Sequence, residues 1–454
     1  MQKETEIKLR ASRETLLALR EHPLLKKRNK SGWQRHELFN QYFDSPDHAL
    51  AQARVALRLR RDGEQYIQTL KSRGQSVAGL SERNEWDWYL DKPKLDPKKL
   101  TDDCWPASLA GLDKKTLKPI FTTDFVREKA DIAWGRGKQK VVIEAALDQG
   151  QVLAGKAAEP ISELELELRQ GEPAALLELA IELAAELPLM PCDISKAERG
   201  YRLHDPAHYQ VQLPAPSLTA TMPLDQAIPA LAWHLLGNSG RLAEQYRHSG
   251  HWRLLADWFE QLTGLRALLA SLGQAAPRAS TRELRELLDA LIGDWRPRIE
   301  TGQQDEQLRQ QAPGLFAEEL GQTRWGLLSL KASLWLLQSG WQNGRNARGD
   351  RQGAAPLGNW LLHLCRDEAK ALQLPLYQRQ PEDLAEQLPR MERLLVWLKL
   401  ARSVLDLPEV DRLYGELAKL QTLASEPLSE ESRPRRSEQA HRVWTLPAWK
   451  RLER

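Results

Sequence analysis

The chain is 454 residues long, more than one ordinary core accommodates, and at roughly 150 residues per domain it divides into two or three. Its 41% hydrophobic and 28% charged residues are those of a globular protein, and no apolar run approaches the roughly 18 residues that cross a bilayer. Lys and Arg number 65 against 62 Asp and Glu, split as 34 against 33 up to residue 221 and 31 against 29 beyond, so neither half is a bulk basic nucleic-acid binder and any polyanion site must come from local clustering.

The N-terminal MQKETEIKLR carries charge where a secretory signal has its apolar core, and the scattered Cys104, Cys192 and Cys365 make neither a disulfide framework nor a zinc site; the expected location is the cytoplasm. Period-two alternation predicts strands near 3–10, 34–44, 54–61, 64–73, 81–90, 121–134, 139–148 and 161–169, mostly antiparallel, with turns at Asp62-Gly63, Gly135-Arg136-Gly137 and Gly150. Helical patterns interrupt them at about 12–21, at 173–187 after Gly171-Glu172-Pro173, and at 195–203, where Ser195 is an N-cap candidate. Pro206, Pro214, Pro216 and Pro223 mark a linker over 205–221, which leaves a first domain at 1–204, separable in expectation, and a second at 222–454. In the second, apolar residues recur at helical spacing, as in Leu254, Leu255, Trp258, Leu262 and Leu265, and predict an all-helical region. Segments 340–353 and 426–438 read as loops, the latter followed by a poorly ordered basic tail. The predicted fold class is therefore α+β and multidomain.

The charges of the first domain sort by strand. One face of the first strand offers Glu4, Glu6 and Lys8; the third offers Arg58 and Arg60; the last offers Glu163, Glu165 and Glu167. Like charges two apart on one strand face repel, so rows this consistent ask for ligands of opposite sign. Carboxylates converging from different strands, with no His or Cys among them, suit Mg²⁺ or Mn²⁺ rather than zinc, and the basic rows suit phosphate oxygens. Together these rows point to a closed barrel with a polar, ion-filled lumen.

The run Glu4-Thr5-Glu6-Ile7-Lys8 resembles the ExExK signature of the CYTH, or triphosphate tunnel metalloenzyme, superfamily. Supporting segments follow in order: Leu57-Arg58-Leu59-Arg60, Thr69-Leu70-Lys71, Arg83-Asn84-Glu85, Phe125-Val126-Arg127, Leu147-Asp148, Glu163-Leu164-Glu165-Leu166-Glu167 and Ser195-Lys196-Ala197-Glu198-Arg199. The resemblance covers about 1–203 and implies an eight-stranded antiparallel β tunnel that binds a triphosphate with a divalent metal. By it, Glu4, Glu6, Asp148, Glu165 and Glu167 match metal-binding positions. Arg58, Arg60, Lys71, Arg127 and Lys196 match phosphate-holding positions, and Arg83 joins them by parity. Lys8, with Glu4 and Glu6, forms the catalytic set, and Lys8 also faces the substrate. Glu85, Lys129, Glu144 and Glu163 share the tunnel parity and rank behind these.

The implied activity is metal-dependent hydrolysis of inorganic triphosphate to diphosphate and phosphate, with no covalent intermediate because nearby serines lack a paired histidine. An adenylate cyclase or a thiamine triphosphatase is an alternative on the same tunnel, and a polyphosphate-binding adaptor without turnover is a third. The helical half resembles a CHAD domain, a module associated with polyphosphate, through His251-Trp252-Arg253 and through Arg393, Lys399 and Arg402. It departs from that pattern because 254–265 has no basic residue and tryptophans occupy the stripes, where they are expected to be core; His234, His248, His251 and His363 are expected at the surface or capped.

Overall fold

The computed structural model describes residues 2–72, 74–135 and 141–454. Its strands are β1 (Gln2–Arg10), β2 (Gln34–Asp44), β3 (Ala56–Asp62), β4 (Gln65–Lys71), β5 (Gln75–Val77), β6 (Leu80–Leu90), β7 (Lys118–Trp134), β8 (Val141–Ala154), β9 (Ala157–Gln170) and β10 (Met190–Pro191). They run in the order β10-β1-β9-β8-β7-β2-β3-β4-β6-β5, and an additional β1–β6 pairing closes eight of them into an antiparallel barrel. Between and after the strands lie α1 (Arg13–Glu21), α2 (Pro23–Arg28), α3 (Ala49–Gln52), α4 (Ala174–Ala184) and α5 (Lys196–His204). The helical region continues as α6 (Leu224–Ser249), α7 (Trp252–Ser271), α8 (Arg278–Gly302), α9 (Glu306–Leu320), α10 (Thr323–Leu337), α11 (Ala347–Gly353), α12 (Leu357–Leu372), α13 (Leu374–Tyr377), α14 (Leu388–Leu400), α15 (Val410–Ser425), α16 (Ser432–Thr445) and α17 (Pro447–Glu453).

The barrel is polar within and apolar without, so its hydrophobic burial comes from what covers its outer face. Ile7 and Leu9, the odd positions of β1, share a core with Ile143, Ala145, Leu164 and Leu166, with Leu16 and Leu19 of α1, with Leu176 and Leu183 of α4, and with Leu330 of α10. A second core packs Leu57, Leu59 and Leu70 under Leu100, Trp105 and Leu109. A third stacks Tyr42 on Phe121 at 4.7 Å beside Ala197 and Tyr201 of α5. The α5 backbone comes so close that a Cβ on Gly200 would lie 2.1 Å from the Phe121 ring, which explains glycine there.

The eight predicted strands and three predicted helices of the first 204 residues are present. Ser195 caps α5, its hydroxyl accepting from the Glu198 N–H at 3.1 Å. The expected turn at Gly150 is a correction: β8 runs through it to Ala154, and Gly150 is needed because a Cβ there would meet the Asp124 carbonyl oxygen at 2.2 Å. The turn falls instead at Gly155, whose φ of 59° suits glycine. Arg136 and Gly137, and the first two residues of the strand predicted at 139–148, lie outside the described residues.

The chain forms two compact units. The first comprises Met1–Leu213, Leu236–Trp258 and Gly293–Gln338. Its helical portion has an aromatic core in which Trp258 meets Trp295, Phe316 and Trp325 edge to face at 5.5, 5.2 and 5.6 Å. The second comprises Pro214–Leu235, Phe259–Ile292 and Ser339–Arg454. There Trp360 packs edge to face on Trp397 at 5.2 Å, and Asp225 accepts both ends of the Arg345 guanidinium at 2.7 Å. Two loop expectations are corrected in this unit. Segment 340–353 contains a 3₁₀ turn and α11, and 426–438 leads into α16, after which α17 buries Trp449 and Leu452 completely. Their apolar residues are few and sit among charges, which hid the stripe.

Candidate active site

Inward-pointing positions of the barrel strands line a cavity of about 750 Å³. Strand β1 contributes Glu4, Glu6 and Lys8, each buried, because the alternation that places Ile7 and Leu9 in the outer core forces the even residues inward. The register then sets the neighbours: Glu4 lies opposite Arg83 on β6, while Glu6 and Lys8 lie opposite Glu167 and Glu165 on β9.

On the β4–β6 side, Lys71 Nζ donates to both Glu4 carboxylate oxygens at 2.9 Å, Arg83 Nε donates to Glu4 at 3.1 Å, and Lys71 reaches Glu85 at 3.0 Å. Lys8 and Arg83 both donate to Glu6. Arg58 faces Glu85 at 3.4 Å, and Arg60 Nε donates at 2.8 Å to Asn40, whose amide is in turn fixed on Thr123. On the β7–β9 side, Arg127 grips Asp148 through two bonds of 2.7 Å and also donates to Glu165. Lys196, at the first turn of α5, donates to Asp148 at 2.6 Å, to Glu165 at 2.9 Å and to Glu163.

Eleven of the twelve sequence-derived site residues thus face the cavity: Glu4, Glu6, Lys8, Arg58, Arg60, Lys71, Arg83, Arg127, Glu165, Glu167 and Lys196. Asp148 is placed behind the wall, fully buried beneath Arg127 and Lys196. Of the residues ranked behind, Glu85, Lys129 and Glu144 face the cavity, whereas Glu163 is buried against Lys196 and Arg199. Arg169, two residues beyond Glu167 and of the same parity, is a further lining residue that alternation alone could have found, and it donates to Glu144 at 2.8 Å. His36, Asp62, Trp86 and Trp88 line the cavity as well; the two tryptophans lie on opposite parity to Arg83 and Glu85, so alternation gave no signal for them.

Like charges crowd at two places in this lining. Burial works to raise the Glu4 and Glu6 carboxyls, yet the cations beside them outweigh it and hold both below the ordinary range; Lys196 and Arg127 likewise hold Glu165 well below it. Glu167 goes the other way. Burial, with Glu4, Glu144 and Glu6 around it, outweighs Arg169 and pushes its pKa up to about 7. Conversely, burial and the neighbouring Arg58 and Arg127 push Arg60 down to about 10. Acids thus crowd around Glu167 and guanidiniums around Arg60, while Glu4 and Glu6 are paired with Lys71, Arg83 and Lys8, and Arg127 with Asp148 and Glu165.

A divalent cation fits the region of crowded acids. Its donors are carboxylate oxygens alone, the set that hard cations such as Mg²⁺ and Mn²⁺ prefer; Lys8, Lys71 and Arg83 now occupy Glu4 and Glu6, and burial with the acids around it pushes Glu167 up. The carboxylates of Asp148, Glu163 and Glu165 also converge within 4.8 Å, but the Lys196 ammonium sits among all three and supplies their cation.

Residues 2–201 match the CYTH domain family. Over 166 residues the chain is 37% identical to the inorganic triphosphatase of Haemophilus influenzae; the alignment covers 37% of this chain and 46% of that relative, so the chain spans under half of the relative's length. Among solved structures, the Hippeastrum chain HpAC1, which has a dominant triphosphatase activity, aligns at 21% identity and a TM-score of 0.32 over 44% of this chain and 95% of its own. A Bacillus halodurans chain described as a candidate adenylate cyclase aligns at 20% identity and a TM-score of 0.25 over 40% of this chain and 92% of its own. Similarity at these scores carries no functional weight.

Proposed function

We propose that the tunnel hydrolyses inorganic triphosphate to diphosphate and phosphate with Mg²⁺ or Mn²⁺. The observation that carries this reading is a single cavity of about 750 Å³ lined by carboxylates from β1, β8 and β9 (Glu4, Glu6, Glu144, Glu167) and by guanidiniums from β3 and β7 (Arg58, Arg60, Arg127). The similarity to a triphosphatase supports the choice of substrate.

In this reading Arg58, Arg60, Arg127, Lys71, Arg83 and Lys196 hold the phosphoryl oxygens and offset the charge that develops during transfer. Lys8, between the Glu6 and Glu165 positions, neutralises charge on the transferred group. Glu4, Glu6 and Glu167 would hold the metal, with Glu165, two residues along β9, and the buried Asp148 fixing Arg127 and Lys196. When bound, the metal supplies a lowered pKa for the attacking water and charge stabilisation on the phosphoryl oxygens. Phosphate release should be measured from triphosphate, ATP, thiamine triphosphate and long polyphosphate, each with Mg²⁺, with Mn²⁺ and without metal. Triphosphate with metal is the expected best combination, and Glu4→Gln or Glu6→Gln should lower turnover by about 100-fold or more with the fold retained. Near-wild-type turnover in Glu6→Gln would sink the metal assignment; preference for ATP or thiamine triphosphate would replace the substrate, and binding without release would make the chain an adaptor.

For the second unit we propose polyphosphate binding. A cavity of about 680 Å³ there is lined by Arg266, Arg278, Arg285 and Arg393, and burial with Arg266 and Arg278 nearby lowers the Arg285 pKa. Retention of long polyphosphate by the full chain, lost in Arg278→Glu/Arg285→Glu, is the test. Among the described residues no helix is long and apolar enough to cross a membrane, in keeping with a cytoplasmic site of action.

A further inference from the structure

The last inward residue of β1, Arg10, does not face the cavity. It is buried behind the tunnel wall, and its partner comes from far along the chain: Nε lies 2.6 Å from Glu244 of α6, a carboxylate with no solvent exposure. The other end of the guanidinium donates to Glu159 at 2.9 Å, and Arg10 stands opposite Glu163 in the β1–β9 register. From there buried charges alternate towards the tunnel. Arg199 bridges Glu159 and Glu163 at 3.8 and 2.7 Å, Glu163 accepts from Lys196, and Lys196 faces the cavity.

We propose that Glu244 is a positioning residue for the phosphate-holding wall, acting on Lys196 through Arg10 and Glu163. Around this lattice three carboxylates, Glu159, Glu163 and Glu244, serve Arg10, Arg199, Arg202 and Arg247. All are in the first compact unit. Burial works against an ionised Glu244, yet Arg10 and Arg247 outweigh it and hold its pKa at about 2, so it is an anion at any working pH. Remove that charge and four guanidiniums must share two acids. Arg10 then keeps only Glu159, which Arg199, Arg202 and Arg247 also use, so its freed Nε edge turns to Glu163, its cross-strand neighbour, and competes with Lys196 for that carboxylate. Lys196 then leans further on Asp148 and Glu165 and is withdrawn from phosphate. The effect appears as weaker substrate binding and not as a loss of the chemical step.

This inference rests on the triphosphate reading of the tunnel. The test is calorimetric titration of the full chain with inorganic triphosphate in metal-free buffer, a readout independent of turnover, alongside KM and kcat with Mn²⁺. Glu244→Gln should weaken binding about tenfold and raise KM by a similar factor with kcat little changed. Arg10→Gln/Glu244→Gln removes the stray guanidinium with the acid and should recover binding to within about twofold of wild type, as expected when one residue acts through the other. Should Glu244→Gln fail to fold, Glu244→Asp keeps the charge with a shorter reach, and a loss of about threefold is expected of it. Unchanged binding in every folded single variant, or a double variant no better than Glu244→Gln, would overturn the proposal. A wild-type chain that binds no triphosphate overturns the functional reading and this inference with it; a wild type that binds, beside variants that bind equally, overturns the inference alone.

Discussion

Glu167 and Arg60 are held away from their ordinary ionisation in opposite directions, and each yields a measurement. The folded pKa of Glu167, about 7, lies above its ordinary 4.5, so its contribution to stability is present below about pH 4.5 and is lost as pH rises through 7. Glu4, Glu6 and Glu165 are depressed, and their contributions are lost only on further acidification; His234 and His248, held below the ordinary 6.5 by burial, lose their contributions as pH falls between 7 and 5, so the Glu167 effect is read as the difference between wild type and Glu167→Gln. Relative to Glu167→Gln, metal-free wild type should therefore gain stability from pH 7.5 to pH 5.5, by about 2 kcal/mol at most, and Mn²⁺ should stabilise the wild type more at pH 7.5. The same pH dependence of melting in wild type and Glu167→Gln, with chelator present, would contradict the crowding of acids around Glu167. Arg60→Met should raise the ligand-free melting temperature by a few degrees, because it relieves the crowding by Arg58 and Arg127, yet shrink the shift that triphosphate induces. Opposite movement of these two numbers distinguishes a ligand-holding arginine from a structural one. Most of this site was legible because tunnel-facing charges betray themselves two at a time along a strand. Asp148 and Glu163 share that parity, and nothing in the alternation says that Arg127 and Lys196 cover them.

Strand pairing converts those residues into a site: with Ile7 and Leu9 outward, alternation turns Glu4, Glu6 and Lys8 inward, and the pairing with β9, which the pattern leaves free to slip by two, sets Glu6 beside Glu167 and Lys8 beside Glu165. Elements defined by close approach were harder to foresee. Gly150 reads as a turn in sequence and is a passage point in the sheet, because its missing side chain is required by a neighbouring strand that the local sequence does not name. Gly326 of α10 is a second case, since a Cβ there would lie 1.8 Å from the Leu189 carbonyl oxygen, next to the strand that pairs with β1. Gly326→Ala must push α10 away from this backbone and loosen Leu330 from the barrel's outer core, at a cost on the order of 3 kcal/mol. Chemical denaturation checks it; a loss below about 0.5 kcal/mol would mean the helix shifts freely.

On the scale of the whole molecule, a linear division at residue 204 leaves out part of what surrounds the tunnel, because the first compact unit also takes in Leu236–Trp258 and Gly293–Gln338. Sequence periodicity marks where strands give way to helices but not which helices return to the barrel, and Glu244 among helical residues looks like any solvated acid. A fragment of residues 1–204 lacks Glu244, Arg247 and Leu330, so it should melt well below the full chain and bind triphosphate more weakly, which differential scanning and titration of the two side by side would show. Equal melting and equal affinity would restore the view of a self-sufficient tunnel. The position of β1 also bears on biogenesis. This strand precedes all of its partners in the chain, β6, β9 and Glu244, so at about 5–20 residues per second it waits up to tens of seconds with an open edge. An open edge invites pairing with other nascent chains, and charges on what will become the inner face are a known defence. The same alternation that turns Glu4, Glu6 and Lys8 into the cavity thus also sets three charges along the newborn strand, where they disfavour pairing with a wrong neighbour.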